Sequence, residues 1–571
     1  MLPSNESSLD LANEFVKFFD QKIQKIRTSL DNASVSASSV NVADKCDCSL
    51  LQFQEVSEDY VREIVMQSSK ASCTLDPLPM SLFMFLVDDL LPVITKIVNK
   101  SLSSGYFPDA YKVARVKPLI KKPSLDREDM TNFRPISNLR FDSKLVERVA
   151  VRQLQTYLKD NGLQGNKQSA YREGCSTETA LLRVCNDLLQ TIDKGDEAVL
   201  VLLDFSAAFD TIDHHVLIAR LEERYGIGDR ALDWFASYLD NRKQAVAIDS
   251  MVSDPLPLDC GVPQGSVAGP IIFTLYSAPI EDVASANGIQ CMTYADDTQL
   301  HISMKPSDRD VCIAKLEQCL VDIKSWTIRN KLRLNDSKTE IVHVTSRNMK
   351  TTAISGVKVG DTTVKPTSSA RNLGVILDHK LCMTEHVNNV CRNATHAIRS
   401  IGRIRHYLDQ VTTEKLVHAY VTSRLDNCNS LLYGLPDSEI MKLQRIQNTA
   451  ARLVTRTKKY DSISEIMRGL HWLSIRQRIA FKINLLTFKA LNGLAPPYLS
   501  ELITPYAPSR SLRSSSQNLI KPPTRRPRTA YGQRSFMEAA HREWNNLPQH
   551  VRLASSIDVF KTKLKTFLFN Q

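Results

Sequence analysis

Nowhere in the 571 residues does an apolar run approach the eighteen positions needed to cross a bilayer. The first residues, Met-Leu-Pro-Ser-Asn-Glu, have neither a basic start nor an apolar stretch behind it. No secretion or membrane insertion is indicated, and an intracellular protein, cytoplasmic or nuclear, is expected. The twelve cysteines are scattered, with Cys46/Cys48 the one close pair, and none joins histidines at the spacing of a zinc site. Reduced thiols are the consequence, with Cys185 and Cys319 reading as packing residues of helices. A composition 43% hydrophobic and 24% charged excludes a disordered chain, and the length suggests three or four modules of roughly 100–200 residues. Positive charge is missing from most of the chain. The net +11 arises because residues 379–571 hold 30 basic against 12 acidic side chains, whereas 1–100 carry −5 and 101–378 carry −2. A polyanion such as nucleic acid is therefore expected on the last third.

What the chain does contain is a pair of apolar runs that each end in carboxylates. Val199-Leu200-Val201-Leu202-Leu203-Asp204-Phe205 and Thr293-Tyr294-Ala295-Asp296-Asp297 both read as buried strands, the second as the tip of a hairpin. Burying unpaired carboxylates costs several kcal/mol unless a cation or partner neutralises them. Side by side, the strands would set Asp204 against Asp296 and Asp297, a hard-oxygen set suited to Mg²⁺, with Mn²⁺ as the alternative. Two such ions about 3.5–4 Å apart would clamp an in-line phosphoryl displacement. The plainer reading of an Asp-Asp pair in a hairpin is turn chemistry, and the apolar lead-in, which would bury the acids, argues against it.

The remaining segments divide into scaffold and candidates. Residues 9–30 form a helix with Leu11, Phe15, Phe18, Phe19, Ile23 and Ile26 on one stripe; the Ser- and Asn-rich stretch 31–44 reads as a linker; helices follow from Ser57 and over about 80–102. Lys112 to Lys122 alternates with period two, which for that segment alone reads as an edge strand guarded by lysine. Asn132 to Leu139 leads into a helix ending near Tyr157, putting Arg134 just ahead of a helix start, able to fork onto phosphate or to join a surface ion pair. Ser176 and Thr177 cap a helix over 177–193. His214 and His215 read as capping or surface groups. Phe209 alone is a core residue, and beside a nucleotide it is a wall against the sugar. The glycine cluster Gly261 to Pro270 permits close backbone approach to a ligand, and the helix after it could aim its N-terminus at phosphate, although alone it reads as a loop before a core helix. A helix spans 311–330. Lys338 is an exposed turn residue or a proton donor to leaving pyrophosphate. Beyond 378 the chain is helical. Arg392, Arg399, Arg403, Arg405, Arg445, Arg452, Arg456, Lys458 and Lys459 lie off the apolar stripes, and 505–534 reads as an exposed basic linker.

Five stretches in this order resemble one family. Asn132-Phe133-Arg134-Pro135-Ile136, Leu203-Asp204-Phe205-Ser206-Ala207-Ala208-Phe209-Asp210, Gly261-Val262-Pro263-Gln264-Gly265-Ser266, Tyr294-Ala295-Asp296-Asp297 and Arg371-Asn372-Leu373-Gly374-Val375 are similar to the reverse transcriptases of non-LTR (LINE-type) retrotransposons of the jockey-like and chicken-repeat-like clade. The resemblance implies an α+β right-hand polymerase with fingers, a split βαβ-type palm and a helical thumb, followed by a helical basic C-terminal region. It implies an RNA-directed DNA polymerase, a nucleotidyltransferase that takes an RNA template, a DNA primer and dNTPs. On this reading Asp204, Asp296 and Asp297 bind metal, joined by the backbone carbonyl of Phe205. Phe209 is the gate against a ribose 2′-hydroxyl, Gln264 lies near the incoming sugar, and Arg134 meets the triphosphate with Lys117, Lys121 or Lys122. Lys338 is the general acid, and the stretch around Gly374 the primer grip.

The implied modules are a helical extension (1–100), the reverse transcriptase domain (101–378), a thumb and basic helical region (379–500), a basic Pro-rich linker (501–535) and a last helical segment (536–571). Elements of this kind carry an endonuclease ahead of the polymerase, and 1–100 has neither the length nor the motifs for one, so a truncated or separate piece is expected. The rival expectation is a catalytically inactive nucleic-acid-binding remnant.

Overall fold

A computed structural model describes every residue except 1, 4–6, 34–45, 71–72, 348, 350–353, 361 and 509–516. Most of the stretch 31–44, expected as a linker, thus lies outside the described residues. The fold is α+β, 54% helix and 13% strand. It divides into two compact units, each assembled from separated pieces: Met1–Tyr171, Asp204–Gly288 and Cys319–Ser337; and Arg172–Leu203, Ile289–Gln318 and Lys338–Gln571.

In the first unit the lysine-bearing strand Val113–Ile120 pairs antiparallel with Phe133–Asn138 and parallel with Lys243–Ile248. It therefore lies inside the sheet, not at the edge expected from its lysines; its alternation buries Ala114, Val116 and Pro118 and exposes Lys117. The edge is Phe133–Asn138, where Pro135 is tolerated because its missing N–H faces no partner strand. Arg134 consequently sits in a strand and not before a helix. Pro135 disfavours the helical region for the residue ahead of it, and the helix begins only at Phe141–Asp160, where Asp76 accepts the Phe141 N–H at 2.7 Å. The helix Ser8–Asp31, capped by Ser7, presses Leu11, Phe15, Val16 and Phe19 onto Val116, Phe133, Val246 and Ile248. Phe15 meets Phe133 edge to face at 5.2 Å. Each such burial stabilises the unit by about 1.5–3 kcal/mol, so this helix belongs to the unit's core.

The second unit is built on an antiparallel sheet in the order Glu340–Val344, Glu197–Leu203, Asp297–Met304, Gln290–Tyr294. The strand Glu197–Leu203 is paired on both sides, which accounts for its unbroken apolar run. The helix Thr177–Lys194 packs on it, started by a reciprocal capping box between Ser176 and Thr179 and ended by Gly195 at φ +88°. The helices Thr384–Ile404, Asp437–Thr455, Ile475–Leu491, Phe536–Asn545 and Ile557–Phe569 extend the same core. Phe488 stacks on Phe560 at 4.3 Å, and the Trp544 ring lies 5.6 Å from Phe560, so the final segment is part of this packing.

At the start of the central strand Glu197 is fully buried, accepting from Arg309 Nη2 at 2.7 and 2.9 Å and lying 2.6 Å from His343 Nε2. Burial holds His343 below the usual imidazole range despite that carboxylate. Glu197→Ala, which removes a fully buried carboxylate that pairs with both Arg309 and His343, is expected to lower the unfolding free energy by about 1.5–3 kcal/mol, read from urea unfolding.

Candidate active site

The second unit supplies the Asp296-Asp297 turn. Tyr294 pairs with Asp297 across the hairpin, leaving Ala295-Asp296 as a two-residue turn, with Ala295 at the positive φ, +56°, that such turns require. Leu203 pairs with Thr298, so the strand Glu197–Leu203 ends at that turn. Asp204 is the next residue in the chain. The apolar flanks do not bury the acids: Asp296 is half-buried and Asp297 exposed, because both stand at the end of the ladder and beyond its packed faces. Lys338 is exposed at the end of the 3₁₀ turn Asp336–Lys338, two residues ahead of the strand Glu340–Val344. Gly374, at φ +87°, follows Leu373 at +46° in the hairpin turn between Ser369–Asn372 and Val375–Asp378.

The first unit resumes at Asp204, which is half-buried; its carbonyl accepts the Asn335 N–H at 2.8 Å. Phe205 follows in a short antiparallel pairing with Leu334, its side chain buried. Among the described residues no group of three or more His, Cys, Asp or Glu side chains is gathered as an ion would hold them. The donor chemistry of Asp204, Asp296 and Asp297, carboxylate oxygens at strand ends, is that of a hard divalent cation.

Past Phe205 the chain turns sharply. Ala207 takes φ +52°, and the Asp210 and Thr211 N–H groups donate back to its carbonyl at 2.9 and 3.1 Å. Phe209, half-buried, rests on the buried Phe273 of the helix Ala268–Ser277 at 4.8 Å between ring centres. The glycine loop closes against this turn: the Gly261 N–H donates to Ile212 and the Val262 N–H to Phe209, at 2.7 and 2.9 Å, and the Ser137 N–H donates to the Gln264 carbonyl at 2.8 Å. A Cβ on Gly261 would meet the Asp210 carbonyl oxygen at 2.6 Å, and one on Gly265, at φ +126°, would meet that of Ser137 at 2.4 Å. The close approach that these glycines permit is thus to the chain's own backbone. Nor does the following helix offer its N-terminus to phosphate. The fully buried Glu147 accepts the Val267 and Ala268 N–H groups at 2.7 and 3.0 Å and occupies it.

Gln264 Nε2 donates to both Asp210 oxygens, at 2.9 and 2.8 Å. Burial pushes the Asp210 carboxyl up to about 6, against the opposing pull of Gln264 and Lys22. Arg134 and Lys117 share the exposed face of the sheet: Leu119 pairs with Arg134 and Lys117 with Ile136, which makes the two bases diagonal neighbours, about 7–8 Å apart at Cα. Lys121 instead turns its ammonium to the Thr131 carbonyl at 2.6 Å. Asp213, not a histidine, caps the helix His214–Glu223, while His214 Nε2 lies 2.8 Å from the Gly261 carbonyl and burial lowers its pKa.

Glu147 and Asp210 were beyond reach of the sequence reading. Glu147 has its partners 120 residues away and no local signature; Asp210 stands inside a quoted motif but shows its partner only once the loop closes on it.

Of the basic residues expected off the apolar stripes of the last third, Arg392, Arg399, Arg403, Arg445, Arg456, Lys458 and Lys459 are exposed and Arg452 is half-buried. Arg405 is not available to phosphate as expected. It is buried, and its guanidinium donates to the carbonyls of Leu453, Val454 and Leu408 at 2.8, 2.7 and 2.6 Å, closing the end of the helix Asp437–Thr455.

Residues 120–377 match the family model described as reverse transcriptase (RNA-dependent DNA polymerase), and the chain carries a reverse transcriptase domain there. Among curated proteins it is similar to the probable RNA-directed DNA polymerase from transposon X-element of Drosophila melanogaster, 26% identical over 83% of this chain and 52% of that protein. It is also similar to the probable RNA-directed DNA polymerase from transposon BS, at 24% over 72% of this chain and 44% of that protein. The RNA-directed DNA polymerase from mobile element jockey matches at 26% over 67% and 42%. All three are from the same fly, and the chain spans about half the length of the curated relatives it matches.

Arg405→Ala is expected to cost about 2–4 kcal/mol of stability, since two helix-end carbonyls and that of Leu408 lose their donor, whereas Arg399→Ala and Arg403→Ala stay within about 0.5 kcal/mol. Chemical denaturation of the three variants measures the contrast.

Proposed function

We propose that the chain is the polymerase segment of a non-LTR retrotransposon, extending a DNA primer on an RNA template from dNTPs. The observation that carries this reading is the strand register that ends Glu197–Leu203 beside the turn Ala295-Asp296, with a carboxylate next on each chain segment, inside a stretch that matches the reverse transcriptase family. That family works with divalent metal ions. Asp204, Asp296 and Asp297, with the Phe205 carbonyl, would hold Mg²⁺ or Mn²⁺. When bound, such ions favour deprotonation of the primer 3′-hydroxyl and offset the charge that develops on the leaving pyrophosphate.

The chain's own side chains do the positioning. Phe209, backed by Phe273, is a stiff wall placed to exclude a ribose 2′-hydroxyl. Arg134 and Lys117, on one exposed sheet face, suit the triphosphate, and Lys121, already turned to a backbone carbonyl, suits it less. Gln264 borders the sugar, and Lys338 supplies a proton to pyrophosphate. The stretch around Gly374 grips the primer, and the exposed arginines and lysines of the last third contact the template. The fingers correspond to the sheet around Val113–Ile120, the palm to the sheet around Glu197–Leu203, and the thumb to the helices from Thr384 onward. Among the described residues no helix is long and apolar enough to cross a membrane.

In a primed-RNA extension assay with Mg²⁺, Asp296→Asn is expected to lower incorporation by about 10³-fold or more. A folded wild type that binds RNA and incorporates nothing would instead support the inactive remnant. Phe209→Val is expected to raise ribonucleotide incorporation relative to dNTP by about 10–100-fold, measured by competing the two triphosphates.

A further inference from the structure

A carboxylate accepts hydrogen bonds and never donates them at neutral pH, so the Gln264 amide can face Asp210 only through its nitrogen. The two contacts, 2.9 and 2.8 Å to the two oxygens of one carboxylate, fix the plane and the sense of that amide. Nothing else in the loop would do so. The backbone around Gln264 is held by the Ser137 N–H on its carbonyl and by the glycine contacts, which set the loop but leave the side chain's last torsion undetermined. Asp210 is itself held: its N–H donates to Ala207, and its own carbonyl accepts from Cys260 Sγ at 3.5 Å.

We propose that Asp210 is a positioning residue for nucleotide selection: it consumes the Gln264 amide nitrogen and so presents Oε1, an acceptor only, to the hydroxyl of the incoming sugar. The proposal rests on the reading of Gln264 as the residue that borders that sugar. An acceptor in that position takes the proton of the ligand's hydroxyl in one defined sense, and a rotated amide would offer an N–H there and replace that geometry with one that must reach the hydroxyl's lone pair. Asp210 touches neither substrate nor metal in this scheme and acts through Gln264 alone. Two groups face its carboxylate, the Gln264 amide from the loop and the Lys22 ammonium from the helix Ser8–Asp31, while the Cys260 thiol lies close by on the Asp210 backbone carbonyl; neither Lys22 nor Cys260 substitutes for the amide contact. Since the Asp210 carboxyl titrates at about 6, its proton arrives within an accessible assay range. A protonated Asp210 offers one donor and one acceptor oxygen, so it can pair with either end of the amide and releases the fixed sense of Gln264.

The test is steady-state dNTP incorporation on a primed RNA template with full-length chain. Wild type, Gln264→Ala, Asp210→Ala, the double variant and Asp210→Asn are compared, with thermal melting of each. Gln264→Ala and Asp210→Ala are both expected to raise KM for dNTP about 10-fold with kcat within about 2-fold, and the double variant to be no worse than Gln264→Ala alone. For wild type KM should climb as pH falls from 7 to 5, while Asp210→Asn, which has no proton to gain, shows a flat profile. An unchanged KM in Asp210→Ala beside a raised KM in Gln264→Ala overturns the positioning role and leaves the reading of Gln264 intact. An unchanged KM in Gln264→Ala overturns that reading and the proposal with it. Additive effects in the double variant also overturn the proposal. Should Asp210→Ala fail to fold, the pH profile of Asp210→Asn decides alone: a slope equal to that of wild type counts against Asp210.

Discussion

The antiparallel pairing of Glu197–Leu203 with Asp297–Met304 is the constraint on which the rest of the second unit turns. Because side chains alternate with period two, a slip of one residue would exchange the residues on the two packed faces of the central strand and move its end away from the Ala295-Asp296 turn. Burial fixes this register. Ala198, Val199, Leu200 and Val201 are all inaccessible, with partners on both sides and the helix Thr177–Lys194 packed on the sheet. The placement of the acidic turn is thus a by-product of core packing.

A second theme is the use of carboxylates to hold backbone. Glu147 takes two N–H groups at a helix start; Asp193 takes those of Arg528 and Thr529; Asp378 takes those of Lys380, Cys382 and Met383. Glu178 reaches the Ser430 N–H and hydroxyl, with Lys482 close by. Hydrogen bonds to a charged acceptor are worth about 1.5–3 kcal/mol each; those of Glu147, Asp193 and Glu178 join residues far apart in the chain, and those of Asp378 close a local turn. Acidic side chains therefore fall into two groups here: those spent on internal N–H groups, and those at strand ends whose oxygens suit a cation. Asp210 stands between the groups, bound to the side-chain amide of Gln264 in the glycine loop.

Local pattern made much of this legible. The two apolar runs, the hairpin at Tyr294-Ala295-Asp296-Asp297, the capped helix from Thr177 and the stripe through Leu316, Cys319, Leu320, Ile323 and Trp326 are all present, because periodicity and capping are short-range properties. The readings that failed depended on distant partners. The place of Val113–Ile120 inside its sheet is decided by Lys243–Ile248, over a hundred residues on; the helix start at Ala268 is occupied by Glu147; and Arg405, which sequence periodicity assigns to a solvated face, finds its carbonyls near residue 454. Arg134 is the exception, since Pro135 gave a local reason to expect an extended strand.

The most direct measurement of the central claim is Mn²⁺ binding to the chain followed by electron paramagnetic resonance, comparing wild type with Asp204→Asn. Asp204 and the Asp296-Asp297 pair come from strands that the register ends together, so the expected result is a bound Mn²⁺ signal in wild type that weakens sharply when Asp204 alone is changed. An unaltered Mn²⁺ affinity in a folded Asp204→Asn chain would contradict a site shared by the two strand ends.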